Sequence, residues 1–171
     1  ANGLAGNETI TAKGPDYDAF LEALQALCME LAKKMASDGE GAKHLITCNV
    51  QGAAGEQSAE TIAKSVISST LTKAAIFGAD ANWGRVLCAV GYSGADIDVN
   101  KIDVSFSSEN GSVEVCAAGS GVDFSEEKAK DVLSGDEVSV AINLNSGDFE
   151  ATAWGCDLTY DYVKINGDYR T

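Results

Sequence analysis

The sequence has 171 residues, enough for one mid-sized domain or two small ones, and 45% of them are hydrophobic, so a packed core is expected. A formal net charge of −14 repels a phosphate backbone and argues against nucleic-acid binding. No apolar run approaches the ~20 residues that span a bilayer, and the first residues do not resemble a secretory signal.

The cysteine pattern indicates buried thiols in a reducing compartment, which predicts a cytoplasmic protein. The number is odd, the spacing is wide, and the sequence contains no CxxC, so a disulfide framework is the weaker interpretation. A zinc site is weaker still, because His44 is the only histidine. His44 and Cys48 lie four residues apart on a predicted strand, about 13 Å, too far for a hydrogen-bonded nucleophile pair. The cysteines are Cys28, Cys48, Cys88, Cys116 and Cys156.

The first half of the chain reads as alternating helices and strands. Residues 1–7 lack an initiator methionine and read like the end of an interrupted element, so we expect the chain to begin inside a larger protein. Residues 16–35 show the apolar three- and four-residue spacing of an amphipathic helix. The apolar residues on that helical face are Phe20, Leu21, Leu24, Leu27, Cys28, Leu31 and Met35.

Four further elements are predicted before residue 95. Residues 44–50 favour a strand, and residues 56–70 a second helix. Residues 71–77 leave two alternatives open, the end of a helix or a short buried strand. Residues 81–90 favour a third helix that Gly91 closes.

The second half is predicted to be rich in strands. Residues 101–107 alternate between apolar and polar side chains, and Asn110-Gly111 is a strong hairpin signal. Residues 125–133 favour a short helix. Three more strands are predicted at residues 138–144, 149–154 and 158–165. The change in composition near residue 95 suggests two domains, residues 1–95 and 96–171.

Two glycine-containing segments could carry chemistry. In DGEGAK, residues 38–43, glycines flank Glu40 and keep its carboxylate open to a cationic partner. The alternative is a helix end followed by a solvated Glu. In FGADANWGR, residues 77–85, Trp83 and Arg85 could build a pocket wall or an ion pair, and the alternative is a capped helix with a buried Trp.

On general grounds, the two ends of the chain read as ordinary structural segments. The run WGCDLTYDYVKINGDYRT, residues 154–171, combines strand-like alternation with a polar end that would normally be frayed. The opening ANGLAGN, residues 1–7, reads as an ordinary turn.

Taken together, four stretches resemble the bifunctional ornithine acetyltransferase/glutamate N-acetyltransferase family of arginine biosynthesis. They lie at residues 1–7, 38–53, 77–85 and 154–171. The resemblance implies a mixed α/β (α+β) fold: part of an α/β/β/α sandwich of the N-terminal-nucleophile-like aminopeptidase/ornithine acetyltransferase type, followed by a small C-terminal α/β domain. Without the rest of the sandwich, the chain would expose an apolar edge.

The resemblance also implies a reaction. Precursors of this family cut themselves at an Ala-Thr bond into an α and a β chain. The new terminal Thr then moves an acetyl group from N2-acetylornithine to glutamate by ping-pong acyl transfer. The cleavage motif is missing from this sequence, so the nucleophilic Thr is expected upstream of Ala1 and no catalytic residue lies in this chain. No metal or tightly bound cofactor is implied, and acetyl-CoA is a substrate only in bifunctional members.

Three substrate contacts carry over from the family, at Glu40, Asn166 and Thr171. Glu40 would bind a substrate ammonium, while Asn166 and Thr171 would bind the amino-acid end. The implied partners are the α chain and the missing N-terminal part of the β chain, in a hetero-oligomer. Two alternatives remain open: a non-catalytic amino-acid-binding module, and an amidase or aminopeptidase of similar fold.

Overall fold

The structure, a computed structural model, describes residues 2–169 as a mixed α/β fold. The helices are α1 (Pro15–Ser37), α2 (Glu56–Ser68), α3 (Thr70–Phe77), α4 (Trp83–Gly91), α5 (Glu126–Val132) and α6 (Tyr160–Asp168). The strands are β1 (Leu45–Ala53), β2 (Asp103–Ser108), β3 (Gly111–Ala117), β4 (Ser120–Gly121), β5 (Glu137–Asn143) and β6 (Phe149–Cys156). A single 3-10 turn, Val99–Lys101, precedes β2. The predicted mixed α/β class is confirmed.

All six strands form one sheet in the order β4-β3-β2-β5-β1-β6. Only β1 and β5 pair in parallel, and the other neighbours are antiparallel. The predicted hairpin is confirmed, because Ser108 pairs with Gly111 across its turn. Residues 2–169 contain one sheet, so the second sheet of the expected sandwich stays a prediction about residues beyond this chain.

One face of the sheet carries the core. Along β1 the side chains of Ile46, Cys48 and Val50 are almost completely buried, because alternate residues of a strand point to the same face. Helix α2 covers β1 and β6 with Ile62 and Val66, while α5 covers β2 and β3. Helix α4 packs beside α2 in the same layer.

The opposite face of the sheet is polar and is only partly covered by α1. Lys33 lies over the ring of Trp154, with Nζ 5.7 Å from the ring centroid. No residue of α1 is buried. The apolar stripe predicted from the spacing is therefore exposed, for example Phe20 at 57% and Leu27 at 55%. A contiguous apolar stripe of this length is uncommon on the surface of a folded protein.

One predicted strand is wrong. Residues 158–165 alternate like a strand, yet Tyr160–Asp168 form helix α6. The reason is local capping: the Thr159 hydroxyl accepts the Tyr162 N–H at 3.1 Å, and Asp161 lies in the first turn, where a negative charge is favourable. These contacts outweigh the strand preference of tyrosine and valine.

The ambiguous segment, residues 71–77, belongs to helix α3. The Ser69 hydroxyl caps this helix by accepting the Thr72 N–H at 3.3 Å. The division of the chain near residue 95 stays a prediction; the hydrogen bonds of one sheet connect β1, which precedes that position, with β5 and β6, which follow it. In the described part of the chain, no helix is long and apolar enough to cross a membrane.

Candidate functional site

Glu40 lies in the tight turn that joins α1 to β1, and the glycines on both sides of it are required by packing. Gly41 has a φ of +70°, a conformation that L side chains rarely adopt. A Cβ at Gly41 would lie 2.8 Å from the backbone nitrogen of Tyr162, in the first turn of α6. A Cβ at Gly39 would lie 2.5 Å from Sγ of Cys156, at the end of β6. The turn therefore packs directly against the segment that joins β6 to α6.

Helix α6 brings Asn166 to the Glu40 carboxylate. Nδ2 of Asn166 donates to Oε2 of Glu40 at 2.7 Å and to the Tyr162 carbonyl at 2.9 Å. Both partners can only accept, so the amide nitrogen must face them and both of its hydrogens are used. Oδ1 of Asn166 and Oε1 of Glu40 remain as acceptors. The pair is exposed and is chemically suited to bind a cationic donor such as an ammonium.

Two buried polar residues connect this turn to α6. Asp157 is 3% exposed, and its Oδ1 accepts the backbone N–H groups of Lys43 at 2.9 Å and His44 at 3.2 Å. Thr159 is 2% exposed, and its hydroxyl donates to the Gly41 carbonyl at 2.7 Å. Sequence reasoning missed Thr159 because residues 158–165 were interpreted as a strand, and it missed Asp157 because the partners of this carboxylate, Lys43 and His44, are distant in the sequence. The helix-start pattern of Thr159 followed by Asp161 was the available signal.

The third predicted contact, Thr171, lies outside the described residues. Glu40 and Asn166 are the two predicted site residues that the structure brings together. They are 126 positions apart in the sequence, so their contact depends on the tertiary fold.

The other motif, residues 77–85, has structural roles. Oδ1 of Asn82 caps α4 by accepting the Arg85 N–H at 3.1 Å, and Nδ2 of Asn82 donates to Asp80 at 3.0 Å. Arg85 donates from Nη1 to the Leu71 carbonyl at 3.1 Å and so ties α4 to α3. Nζ of Lys43 lies 5.5 Å from the ring centroid of Phe77.

The Cys48 thiol is buried in the core and is not suited to act as a nucleophile. Burial raises the pKa of the Cys48 thiol to about 12, which keeps it protonated at neutral pH. His44 donates from Nδ1 to the Gly135 carbonyl at 2.8 Å. All five cysteines are free thiols, and the described residues contain no group of three or more acidic, cysteine or histidine side chains that could bind a metal ion.

Comparison with known proteins covers the whole chain. The sequence pattern of the ArgJ family matches residues 1–171. The arginine biosynthesis bifunctional protein ArgJ 1 of Clostridium acetobutylicum is 55% identical over 171 residues, and the bifunctional ArgJ of Caldanaerobacter subterraneus is 51% identical. In both cases the match covers 100% of this chain and 42% of the relative.

A solved structure agrees with these sequence matches. The crystal structure of the arginine biosynthesis bifunctional protein of Bacillus halodurans is 47% identical, with a TM-score of 0.90, over 99% of this chain and 78% of that chain. Identity at this level over the full chain, together with the same fold, is far beyond what a shared architecture alone would produce. The chain belongs to the ArgJ family.

Proposed function

We propose that this chain is part of an acyltransferase that moves an acetyl group from N2-acetylornithine to glutamate through an acetyl-threonine intermediate. The nucleophilic Thr lies outside this chain in this proposal. Membership of the ArgJ family supports the assignment, since the similar proteins are named as bifunctional proteins of arginine biosynthesis. The chain spans about 42% of the length of these relatives, so it supplies one portion of the active enzyme.

The contact between Glu40 and Asn166 is the observation that carries the substrate assignment. In N2-acetylornithine the α-nitrogen is acylated, which leaves the side-chain ammonium as its only positive charge. Oε1 of Glu40 and Oδ1 of Asn166 are both acceptors, and a charge-assisted hydrogen bond to an ammonium is about twice as strong as a neutral one. We assign this ammonium to the pair, and Thr171 to the amino-acid end of the substrate. The family resemblance implies a contact of Asn166 with the amino-acid end as well, but here both hydrogens of its amide are donated to Glu40 and to the Tyr162 carbonyl, which leaves only its oxygen for the substrate.

The same proposal includes the partners and the compartment. The exposed apolar stripe of α1 would pack on the remainder of the enzyme, the α chain and the rest of the β chain, in a hetero-oligomer. Acetyl-CoA would serve as a second acetyl donor if the protein is bifunctional, and no metal or tightly bound cofactor is needed for acyl transfer to a hydroxyl. The five free thiols fit a reducing compartment, which favours the cytoplasm.

An acetyl-exchange assay tests the reaction. Full-length protein is mixed with N2-acetylornithine and glutamate in the absence of acetyl-CoA, and N-acetylglutamate is measured. We expect N-acetylglutamate and ornithine to form in equal amounts. Absence of product would exclude the transferase. Release of acetate without N-acetylglutamate would indicate the amidase alternative, and binding without turnover the non-catalytic module.

Substitutions at the site test the substrate contacts. Glu40→Gln removes the charge that binds the ammonium but keeps the size of the side chain, so the KM for N2-acetylornithine should rise. Deletion of Thr171 should raise it as well. Glu127→Gln is the matched control, because Glu127 is an exposed acid on α5, which packs on strands at the opposite end of the sheet from β6. Unchanged kinetics in both site variants would remove the substrate-site assignment.

A further inference from the structure

We propose that Thr159 and Asp157 are positioning residues. They hold the turn between α1 and β1, residues 38–44 and called the Glu40 turn below, against α6, and so they keep Glu40 and Asn166 in place to bind the substrate. This inference rests on the proposed role of Glu40 and Asn166. It adds two buried side chains whose hydrogen bonds go to the backbone that follows Glu40 and to the first turn of α6. Both lie in the segment that joins β6 to α6.

The Thr159 hydroxyl makes two hydrogen bonds that connect the two halves of the site. It donates to the carbonyl of Gly41, the residue directly after Glu40, at 2.7 Å. It accepts from the backbone nitrogen of Tyr162 at 3.1 Å, in the first turn of α6. The Tyr162 carbonyl in turn accepts from Nδ2 of Asn166 at 2.9 Å. One hydroxyl therefore connects the backbone beside Glu40 with the helical turn that orients Asn166.

The Asp157 carboxylate fixes the other end of the turn. Oδ1 accepts the N–H groups of Lys43 and His44, where the turn enters β1. The Asp157 N–H donates to the His44 carbonyl at 3.2 Å, so the two segments are tied in both directions. A carboxylate that is 3% exposed has lost most of its hydration, and these two backbone donors replace part of it.

The Glu40 side chain itself is exposed and cannot fix its own position by packing. Its place depends on the backbone of the turn, which Thr159 and Asp157 bind at Gly41, Lys43 and His44. A hydrogen bond weakens steeply over a few tenths of an ångström, so a displaced turn would separate Glu40 from Asn166. A displaced Glu40 binds the substrate ammonium less tightly, which raises the KM for that substrate.

Hydrogen exchange measured on the full-length protein tests the positioning directly, without reference to any substrate. Thr159→Val keeps the shape of the side chain but removes the hydroxyl, while Thr159→Ser keeps the hydroxyl. Exchange at residues 41–44 and in α6 should rise in Thr159→Val and stay close to wild type in Thr159→Ser. Wild-type protection of the turn in Thr159→Val would overturn the inference.

Ser125→Ala is the matched control for the loss of a helix cap. The Ser125 hydroxyl caps α5 by accepting the Lys128 N–H at 3.2 Å, the same type of bond that Thr159 makes to Tyr162. Ser125→Ala should raise exchange in α5 and leave residues 41–44 unchanged. Equal loosening of the Glu40 turn in Ser125→Ala would show a global loss of stability and would overturn the inference.

Steady-state kinetics then connect the geometry to the substrate. We expect Thr159→Val to raise the KM for N2-acetylornithine by about 10-fold or more, with a smaller change in kcat. The reason is that the substitution displaces Glu40, which binds the substrate, and not the nucleophile. Thr159→Ser should restore the KM, and Ser125→Ala should leave it unchanged. An active enzyme whose KM does not respond to Thr159→Val would overturn the inference.

Two substitutions of Asp157 test the second positioning residue independently. Asp157→Asn keeps an oxygen for the Lys43 and His44 N–H groups, whereas Asp157→Ala removes it, so the KM should rise more in Asp157→Ala. Equal KM values in the two variants would exclude a role for the Asp157 oxygen. A wild-type protein without acetyl transfer would refute the proposed function, and hydrogen exchange would still decide whether Thr159 positions the turn.

Discussion

Replacing Gly41 by alanine adds a methyl group where the backbone conformation and the neighbouring helix both oppose it. A φ of +70° costs an L residue about 1–2 kcal/mol relative to glycine. The new Cβ would also lie 2.8 Å from the Tyr162 nitrogen and 3.1 Å from the Asp161 carbonyl carbon, both backbone atoms. Relieving such overpacking typically costs about 1–3 kcal/mol more. The two contributions predict a loss of about 2–5 kcal/mol in the free energy of unfolding.

Gly94→Ala separates the two contributions. Gly94 has a φ of +84°, and a Cβ there would meet nothing within 4 Å. Urea unfolding of the full-length protein, followed by circular dichroism, should show a loss of about 1–2 kcal/mol for Gly94→Ala, and the excess in Gly41→Ala measures the clash with α6. Equal losses in both variants would refute the close packing of the Glu40 turn against α6.

Four further predictions concern the core and the exposed helix. Cys48 should react with a thiol reagent at pH 8 far more slowly than the exposed Cys88. Because burial raises the pKa of the Cys48 thiol from 9.0 to about 12, its contribution to stability should be constant below pH 9 and fall as the pH rises from 9 towards 12, as pH-dependent unfolding would show. Phe106→Ala should cost about 3–5 kcal/mol in urea unfolding, since Phe106 is 1% exposed, whereas Phe149→Ala, half exposed, should cost much less. Leu27→Ser on α1 should reduce self-association of the isolated chain, measured by light scattering, because it removes an exposed apolar side chain. An unchanged oligomer would contradict association through the apolar stripe of α1.

The local patterns of the sequence were sufficient for most elements. The apolar spacing of residues 16–35 predicts α1, and the alternation of residues 101–107 together with Asn110-Gly111 predicts the hairpin of β2 and β3. These patterns are readable because each reflects contacts between residues a few positions apart. Only the boundaries differ from the structure, by one to a few residues.

Helix α6 shows where local patterns were insufficient. Tyr160, Tyr162 and Val163 favour a strand, but a single capping hydroxyl and the packing of the first turn against Gly41 decide for a helix. Part of the preference for a helix comes from packing against the Glu40 turn, about 120 residues earlier in the chain. A short stretch of sequence around residue 160 does not contain that information. The periodicity of α1 likewise predicts an apolar stripe without saying whether anything covers it.

The sequence by itself determined the mixed α/β class, most of the helices and strands, and an uncrowded carboxylate at Glu40, because glycines, turn pairs and periodic apolar residues act over short distances. Only the tertiary structure decided the order of the strands, the helical state of residues 160–168 and the contact of Glu40 with Asn166. The parallel pairing of β1 with β5 and the hydrogen bonds of Thr159 and Asp157 join segments about 90 to 120 residues apart. Such contacts depend on the whole chain folding cooperatively, and their partners cannot be read from either segment alone.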